Sequence, residues 1–346
     1  MKIFSDLHHS GLFYSLKLLF EDRLGHELYR PIGMEWFPEW WDIAKPYNNS
    51  VDTAKQFLML KPEYTPKDGT PPLNDVVGAN SGHYEVHEKA HDYIQKALTL
   101  EQFKNTDIDI IIASIPDHWI TYEKLRQKYH PKAKLICQMG NIGWHNMELL
   151  KDGTVKNLMA SVAPFRTKTN SVFYHQEIDL KVFYPRYLQV IHNKNINSFV
   201  IGLPDERVFM EYKEALPEYN LTAYASKHAP FIHTIKELSD KISDSAFIFN
   251  HKPHGDGFGH ILYSSAFCGK PLLIDFKDYR DKLGGELLQD KVTAIDIGIR
   301  SVKENADLIR TLDPQAMGEN IHKRVTSCVD YQKESEAIKE FFGRLV

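Results

Sequence analysis

Apolar runs that alternate with helical patterns divide the chain into strand and helix segments. The chain opens with the strand pattern MKIFSD, continues with the helical pattern LFYSLKLLFEDRLG, and returns to a strand pattern at ELYRPIG. The apolar face of this helix consists of Leu12, Leu16, Leu19, Phe20 and Leu24. Gly25 is placed to end the helix. A strand, a helix and a second strand in this order predict a parallel sheet.

The same alternation continues to about residue 178. Near-continuous apolar runs predict buried strands at DIDIIIAS (107–114) and AKLICQ (133–138), with further candidate strands at LMASVA and SVFYHQ. Helices are predicted over residues 82–102 and at TYEKLRQKY. Residues 34–80 fit no regular pattern, and a long irregular insertion in an α/β domain is often functional.

The alternation then restarts in a second half. Strands are predicted at NSFVIGL (197–203), LTAYA, SAFIFN (245–250), PLLI and VTAIDIG (292–298). Helices are predicted at RVFMEYKEAL and TIKELSDKI, and three helical segments fill residues 302–346. The chain therefore has an α/β pattern that predicts two Rossmann-like, doubly wound parallel-sheet domains.

The domain boundaries follow from where this alternation restarts. We expect an N-terminal Rossmann-like domain over 1–178, with the insertion at 34–80, and a C-terminal Rossmann-like domain over 179–325. In sheets of this kind ligands bind at the carboxyl ends of the strands, so two such domains are expected to face a cleft. The loops at those ends are residues 6–11, 115–119, 139–145, 202–207 and 251–260.

Composition narrows the class of protein without identifying it. The 346 residues are 42% hydrophobic and 25% charged, which is typical of a globular protein. The net charge of −4 gives no overall basic signature for nucleic acid. Three widely spaced cysteines, no signal-peptide pattern and no apolar run of membrane-spanning length predict a cytoplasmic protein.

Residues 251–275, HKPHGDGFGHILYSSAFCGKPLLID, hold three glycines within five residues directly before an apolar helix. The apolar positions of that helix are Ile261, Leu262, Ala266 and Phe267. Glycine allows a ligand to approach the backbone closely, and a helix N-terminus offers free N–H groups with a partial positive charge. Together they form an anion site, commonly for phosphate. The alternative is a tight loop without a ligand.

This stretch resembles the donor-binding signature of GT-B glycosyltransferases, in particular the group 1-like, sugar-nucleotide-dependent members. That signature has an acidic residue, Gly-Phe-Gly, a helix of about eight residues, and then Ala-Cys-Gly-x-Pro-Val. Here it stands as Asp256, residues 257–259 and AFCGKP (266–271). HQEIDLKVFYPR (175–186) resembles the segment that joins the two domains in the family. The resemblance also implies that the N-terminal domain holds the acceptor and the C-terminal domain the nucleotide-sugar donor. It further implies that a C-terminal helix, here 326–346, packs back on the N-terminal domain.

The resemblance implies an enzyme of the hexosyltransferase type. It would move a sugar from a nucleotide-diphosphate sugar, with a UDP-sugar favoured, to a hydroxyl acceptor without a metal ion or other cofactor. The acceptor is expected to be a saccharide or small molecule. The donor-binding residues implied are Gly11, Arg207, Lys252, Gly257, Phe258, Gly259, His260 and Ser264. Lys227 is a further candidate cation, and Ser264 departs from the family, where many retaining members have a glutamate.

Catalytic candidates lie at the donor site and at the expected acceptor site. Asp256 is expected near the donor sugar, and Asp6, His8 or His9 could orient the acceptor hydroxyl or take its proton. A structural role for Asp6, as a helix cap, is the alternative. His118 and His145 lie at the same predicted sheet edge, where an ordinary structural or surface role is favoured. An aromatic stripe in residues 34–41 could hold an acceptor, although such a stripe is more often core.

The sequence is also compatible with other functions. Phage-type DNA glucosyltransferases share the fold, so hydroxymethylated DNA is a possible acceptor, although the negative net charge argues against duplex binding. A sugar-nucleotide epimerase and a noncatalytic nucleotide-sugar-binding protein are further alternatives. The HExxH match at 87–91 is typical of zinc peptidases, but Lys89 lies inside it and no third ligand follows at the expected spacing.

Overall fold

The computed structural model describes most of the chain as two compact units. The described residues are 1–6, 10–31, 97–98, 100–114, 116–140, 148–161, 169–186, 193–200, 205–224, 226–227, 229, 232 and 235–346. Unit 1 comprises Met1–Glu177 and Gln332–Val346, and unit 2 comprises Ile178–Tyr331. The predicted insertion at 34–80 lies outside the described residues.

Unit 1 is built on a parallel sheet. Its described strands are β1 (Lys2–Ser5), β2 (Glu27–Pro31), β3 (Ala97–Leu98), β4 (Ile110–Ala113), β5 (Lys134–Met139), β6 (Asn157–Ala160) and β7 (Asn170–Phe173). They lie in the order β3-β2-β1-β4-β5-β6-β7 and pair in parallel throughout. In the centre of the sheet Ile3 stands beside both Leu28 and Ile110. The near-continuous apolar run at 110–113 is buried along its whole length, as a central parallel strand requires.

Helices cover this sheet. They are α1 (Ser10–Lys17), which continues as a π-helical segment over Leu18–Arg23, α2 (Leu100–Asn105), α3 (Trp119–Tyr129) and α4 (Glu148–Lys151). Phe4, Phe103 and Tyr122 pack together in the core, with the Phe4 and Phe103 ring centroids 4.7 Å apart. Gly25 follows the π-helical segment with φ +67°, a conformation that glycine adopts readily.

The predicted helix over 82–102 is wrong at Ala97 and Leu98 but correct at residues 100–102. Ala97 and Leu98 form the short strand β3, which pairs with Arg30 and Pro31 of β2, and α2 begins only at Leu100. Pairing with β2 provides backbone hydrogen bonds to β3. A helical pattern in the local sequence cannot reveal this pairing. Residues 82–96 lie outside the described part of the chain.

Unit 2 holds a second parallel sheet. Its described strands are β8 (Asn195–Ser198), β9 (Asn220–Ala223), β10 (Phe247–Phe249), β11 (Leu272–Ile274) and β12 (Ala294–Asp296), in the order β12-β11-β10-β8-β9. Its helices are α5 (Glu206–Ala215), α6 (Ile235–Ser243), α7 (His260–Phe267), α8 (Val302–Thr311) and α9 (Pro314–Cys328). The predicted strand at 197–203 instead ends at Ser198, because its partner β9 ends at Ala223 and Phe199 then stacks on Tyr224.

The last helix, α10 (Tyr331–Gly343), belongs mainly to unit 1. Phe342 stacks on Phe20, with ring centroids 5.8 Å apart, and Asn157 accepts a hydrogen bond from the backbone of Val346 at 3.2 Å. None of the described helices has both the length and the apolar composition needed to cross a membrane.

Each sheet has a point where the strand order changes direction. In unit 1 the chain builds outward from β1 to β2 and then continues on the other side of β1 with β4. In unit 2 it builds from β8 to β9 and then continues on the other side of β8 with β10. In doubly wound sheets such switch points are where ligands bind, beyond the carboxyl ends of the strands. A ligand-binding site is therefore expected in the segments that follow β1, β4, β8 and β10.

Candidate functional site

The glycine-rich loop follows β10 at the switch point of unit 2. Its backbone turns sharply at His254 and Gly255, which have φ values of +67° and +61°, and again at Gly259, with φ +59°. A left-handed conformation costs a non-glycine residue about 1 kcal/mol or more, so the surrounding structure must hold His254 in place. Such backbone strain is concentrated at functional sites.

Residues 278–282 stabilise this turn through hydrogen bonds. The Lys282 ammonium donates hydrogen bonds to the carbonyl oxygens of His254, at 2.5 Å, and of Asp278. The Asp278 side chain accepts a hydrogen bond from the His254 N–H at 3.2 Å. A Cβ atom at Gly255 would lie 2.5 Å from the Asp278 carbonyl oxygen, so only glycine fits there. The sequence showed no motif for Lys282, because its role depends on contacts 28 residues away along the chain.

A cation and a carboxylate face each other across the loop. Lys252 forms an ion pair with Asp256, and about a third of each side chain is exposed. Both were predicted as site residues, and the structure brings them into direct contact. Because the pair is accessible, a bound anion could compete with Asp256 for the Lys252 ammonium.

Helix α7 begins at the end of the loop, with Gly259 as its N-cap residue. The first N–H groups of an α-helix have no partner within the helix, so they are available to an anion. His260, the first residue of α7, is partly exposed, but its Nε2 is buried. Burial lowers the pKa of His260 to about 4, and Asp256 opposes this shift only in part. The imidazole is therefore neutral at pH 7.

Phe258 and Ser264 face inward. Phe258 is 7% exposed, so its ring anchors the loop between the two flanking glycines. Ser264, one of the implied donor-binding residues, is fully buried, and its Oγ has no hydrogen-bond partner among the described residues.

The two other predicted cations lie on the surface. Arg207 was expected in the loop after β8, but it is the second residue of α5, where it is exposed and pairs with Glu211 at 3.1 Å. Helix formation starts earlier than predicted because Asp205 caps α5 by accepting a hydrogen bond from the Val208 N–H. Lys227 is also exposed and pairs with Glu206 at 2.7 Å.

Unit 1 has a buried polar cluster at its own switch point. One Asp6 carboxylate oxygen accepts a hydrogen bond from the Ser114 N–H at 2.6 Å, and the other lies 2.5 Å from His118 Nδ1. Asp6 follows β1, whereas Ser114 and His118 follow β4, so the cluster joins the two strand ends. Asp6 is 1% exposed and His118 is fully buried. Sequence reasoning proposed Asp6 for catalysis and favoured a structural role for His118; it did not pair them.

Several predicted features lie outside the described residues. They are His8, His9, His145, the aromatic stripe at 34–41 and the HExxH match at 87–91. Gly11 is described only as part of the α1 backbone. Within the described ranges, no three His, Cys, Asp or Glu side chains are grouped so that they could hold a metal ion.

Comparison with known proteins reveals the fold at low sequence identity. No protein-family model and no curated protein sequence matches the chain. Among solved structures it is similar to HepE from Anabaena in complex with UDP, at 10% identity over 100% of both chains with a TM-score of 0.62.

Two further structures match with comparable coverage. The sucrose-phosphate synthase from Thermosynechococcus elongatus matches at 11% identity and a TM-score of 0.59, over 99% of this chain and 98% of that chain. An alpha-glucosyltransferase in complex with UDP-glucose and DNA matches at 10% identity and a TM-score of 0.55, again over 99% and 98%. The architecture of two doubly wound parallel sheets is thereby confirmed: the chain has the GT-B fold.

Proposed function

We propose that this protein is a glycosyltransferase that moves a sugar from a nucleotide-diphosphate sugar, preferably a UDP-sugar, to a hydroxyl acceptor. The observation that carries the proposal is the loop at residues 251–260, which joins a left-handed Gly259, the N-terminus of α7 and Lys252 at a switch point. Structures of the similar HepE hold UDP, UDP with glucose, or UDP-glucose, which supports a nucleotide sugar as the donor.

The loop has the groups that this reaction needs at the leaving diphosphate. When the bond from the anomeric carbon to the diphosphate breaks, negative charge grows on the phosphate oxygens, and fixed donors stabilise it. The first N–H groups of α7 supply such donors, and Lys252 supplies a cation. A lysine and a helix N-terminus can do this without a metal ion, so we propose a metal-independent reaction. Asp256, which pairs with Lys252, is the proposed group beside the donor sugar.

On the acceptor side we propose a division of roles. Both Asp6 oxygens are occupied within the buried cluster, so Asp6 acts as a positioning residue that fixes His118 and the end of β1. His8 and His9, two and three residues after Asp6, are the proposed groups that take the acceptor proton.

The acceptor is proposed to be a saccharide or another small hydroxyl compound. The net charge of −4 does not favour binding to a DNA duplex, which relies on lysine and arginine contacts to phosphate. Because one similar structure holds DNA, hydroxymethylated DNA belongs in the acceptor panel as the alternative substrate.

The test measures UDP release from UDP-sugars with four acceptor conditions: saccharides, small hydroxyl compounds, hydroxymethylated DNA, and none. The wild type should release UDP only with an acceptor, and Lys252→Met should reduce the rate at least tenfold, the usual effect of removing a charged hydrogen bond. Lys303→Met, an exposed lysine on α8, is the control and should leave the rate unchanged.

Each alternative function predicts a different result in this assay. Conversion of the nucleotide sugar to an isomer without any acceptor would indicate an epimerase. Tight UDP binding without turnover under every acceptor condition would indicate a binding protein. If no nucleotide sugar is bound or consumed, the proposal is wrong.

A further inference from the structure

Lys270 is a buried cation away from the glycine-rich loop. It lies between the end of α7 and the start of β11, so it stands at the opposite end of α7 from Gly259. Its side chain is 2% exposed. The buried Nζ has no hydrogen-bond partner among the described residues. Buried lysines are uncommon because removing an ammonium from water is costly unless a counter-charge is present.

Burial changes the pKa of the Lys270 amine. It lowers the pKa of Lys270 to about 8, although Cys268 and Asp244 oppose the shift. The amine is therefore still protonated at pH 7. Burial also raises the pKa of the Cys268 thiol to about 11, so this neighbour is neutral at pH 7 and supplies no counter-charge. Asp244 acts on Lys270 through space, without a hydrogen bond to its Nζ within the described part of the chain.

A small cavity lies beside Lys270, with a volume of about 10 Å³. This is roughly the space that a single water-sized particle occupies. Arg186 lines the same cavity, and its guanidinium is held by Asp240 at 2.5 Å and by Ser239 at 3.2 Å. Its third nitrogen, Nε, is buried without a hydrogen-bond partner among the described residues.

A helix N-terminus adds to the positive potential. Helix α9 has 15 residues, and Pro314 and Gln315 of its first turn line the cavity. The N-terminal end of such a helix carries a partial positive charge, which its N-cap residue Asp313 offsets in part. The cavity of single-particle size is thus lined by two cationic side chains, each with a buried nitrogen that lacks a hydrogen-bond partner among the described residues, and by a helix N-terminus.

We propose that this cavity is a binding site for one monatomic anion of the halide class, held by Lys270 Nζ and Arg186 Nε. A water molecule of similar size could accept both hydrogen bonds, but it carries no charge to balance the Lys270 ammonium, on which Asp244 acts only through space. Phosphate, sulfate and nucleotides are too large for the space. The site lies apart from the glycine-rich loop, so it does not depend on the proposed transferase activity.

The test compares melting temperatures at pH 7 in sodium chloride and in sodium gluconate at equal ionic strength, so that screening is the same. The wild type should melt higher in chloride, with a shift that keeps growing with the logarithm of the chloride concentration above Kd, as binding to the folded state alone requires. In Lys270→Met this chloride-specific shift should vanish. Lys303→Met, whose side chain is exposed on α8, should keep it.

An equal melting temperature of the wild type in both salts would overturn the proposal, and so would an unchanged chloride shift in Lys270→Met. Crystals of the wild type grown in sodium bromide give a second test that needs no variant. An anomalous peak between Lys270 Nζ and Arg186 Nε is expected, and its absence would contradict the site.

Discussion

At the scale of single residues, Asp256 places a negative charge beside the cation that we propose for the diphosphate. Asp256→Asn should remove that charge and release Lys252, so UDP should bind roughly two- to fivefold more tightly, as the strength of an exposed ion pair suggests. Transfer should slow, because the group proposed near the donor sugar is lost. Calorimetric titration with UDP and the transfer assay measure the two effects.

A matched control for this substitution is Asp307→Asn, which breaks the exposed pair of Asp307 with Arg310 on α8. It should change neither UDP affinity nor transfer. Weaker UDP binding by Asp256→Asn would show that Asp256 supports the phosphate site instead of opposing it.

His260 should make the stability depend on pH. Its pKa is lowered from 6.5 to about 4, so between these values the unfolded chain takes up a proton that the folded protein does not. Stability should therefore fall as the pH drops from about 6.5 to 4, by up to about 3 kcal/mol for this residue. Burial also lowers the pKa of His26 and His130, so only the difference from a variant isolates His260.

The measurement is chemical denaturation of the wild type and of His260→Asn between pH 4 and pH 7. The variant should lose less stability over this range than the wild type. Parallel curves for the wild type and His260→Asn would contradict the assigned environment of His260.

At the scale of elements, the glycine-rich loop should be intolerant of a side chain at Gly255. Gly255→Ala combines a positive φ with a contact of 2.5 Å to the Asp278 carbonyl oxygen, so it should cost clearly more than about 1 kcal/mol and weaken UDP binding. Gly153→Ala shares the positive φ but has open space, so strain of about 1 kcal/mol is expected alone. Gly343→Ala has neither feature and should be close to neutral.

Denaturation midpoints and UDP titrations of the three variants separate strain from contact. Equal losses in Gly255→Ala and Gly153→Ala would show that the contact with Asp278 does not constrain the loop.

Helices and strands could be predicted from the sequence where the local pattern of apolar residues and glycines determines them. The buried run at 110–113 and the helix after Gly259 were identified because apolar periodicity and glycine punctuation are local signals. Strand β3 was missed because its two residues depend on pairing with β2. Lys282 was missed because it acts on a carbonyl group of a distant turn.

At the scale of the whole molecule, the alternation of strands and helices was enough to predict two doubly wound sheets. The sequence could not predict how side chains meet at the switch points. Asp6 and His118 are 112 residues apart, and only the strand order that places β1 beside β4 brings them together.

Donor binding should be confined to unit 2. Hydrogen exchange with saturating UDP should show slower exchange in residues 250–262, where the loop and the first turn of α7 lie, because ligand contacts hold their N–H groups. Residues 302–328, in α8 and α9, serve as the internal control and should not change. Protection limited to residues 1–31 would place the nucleotide in unit 1 and contradict this assignment.

The most direct test of the proposed donor site is a calorimetric titration of the wild type, Lys252→Met and Lys303→Met with UDP, with and without EDTA. We predict one site in the wild type that does not respond to EDTA, affinity at least tenfold lower in Lys252→Met, and no change in Lys303→Met. Absence of binding to UDP and to the other nucleoside diphosphates, or equal affinity of the wild type and Lys252→Met, would contradict the proposed donor site.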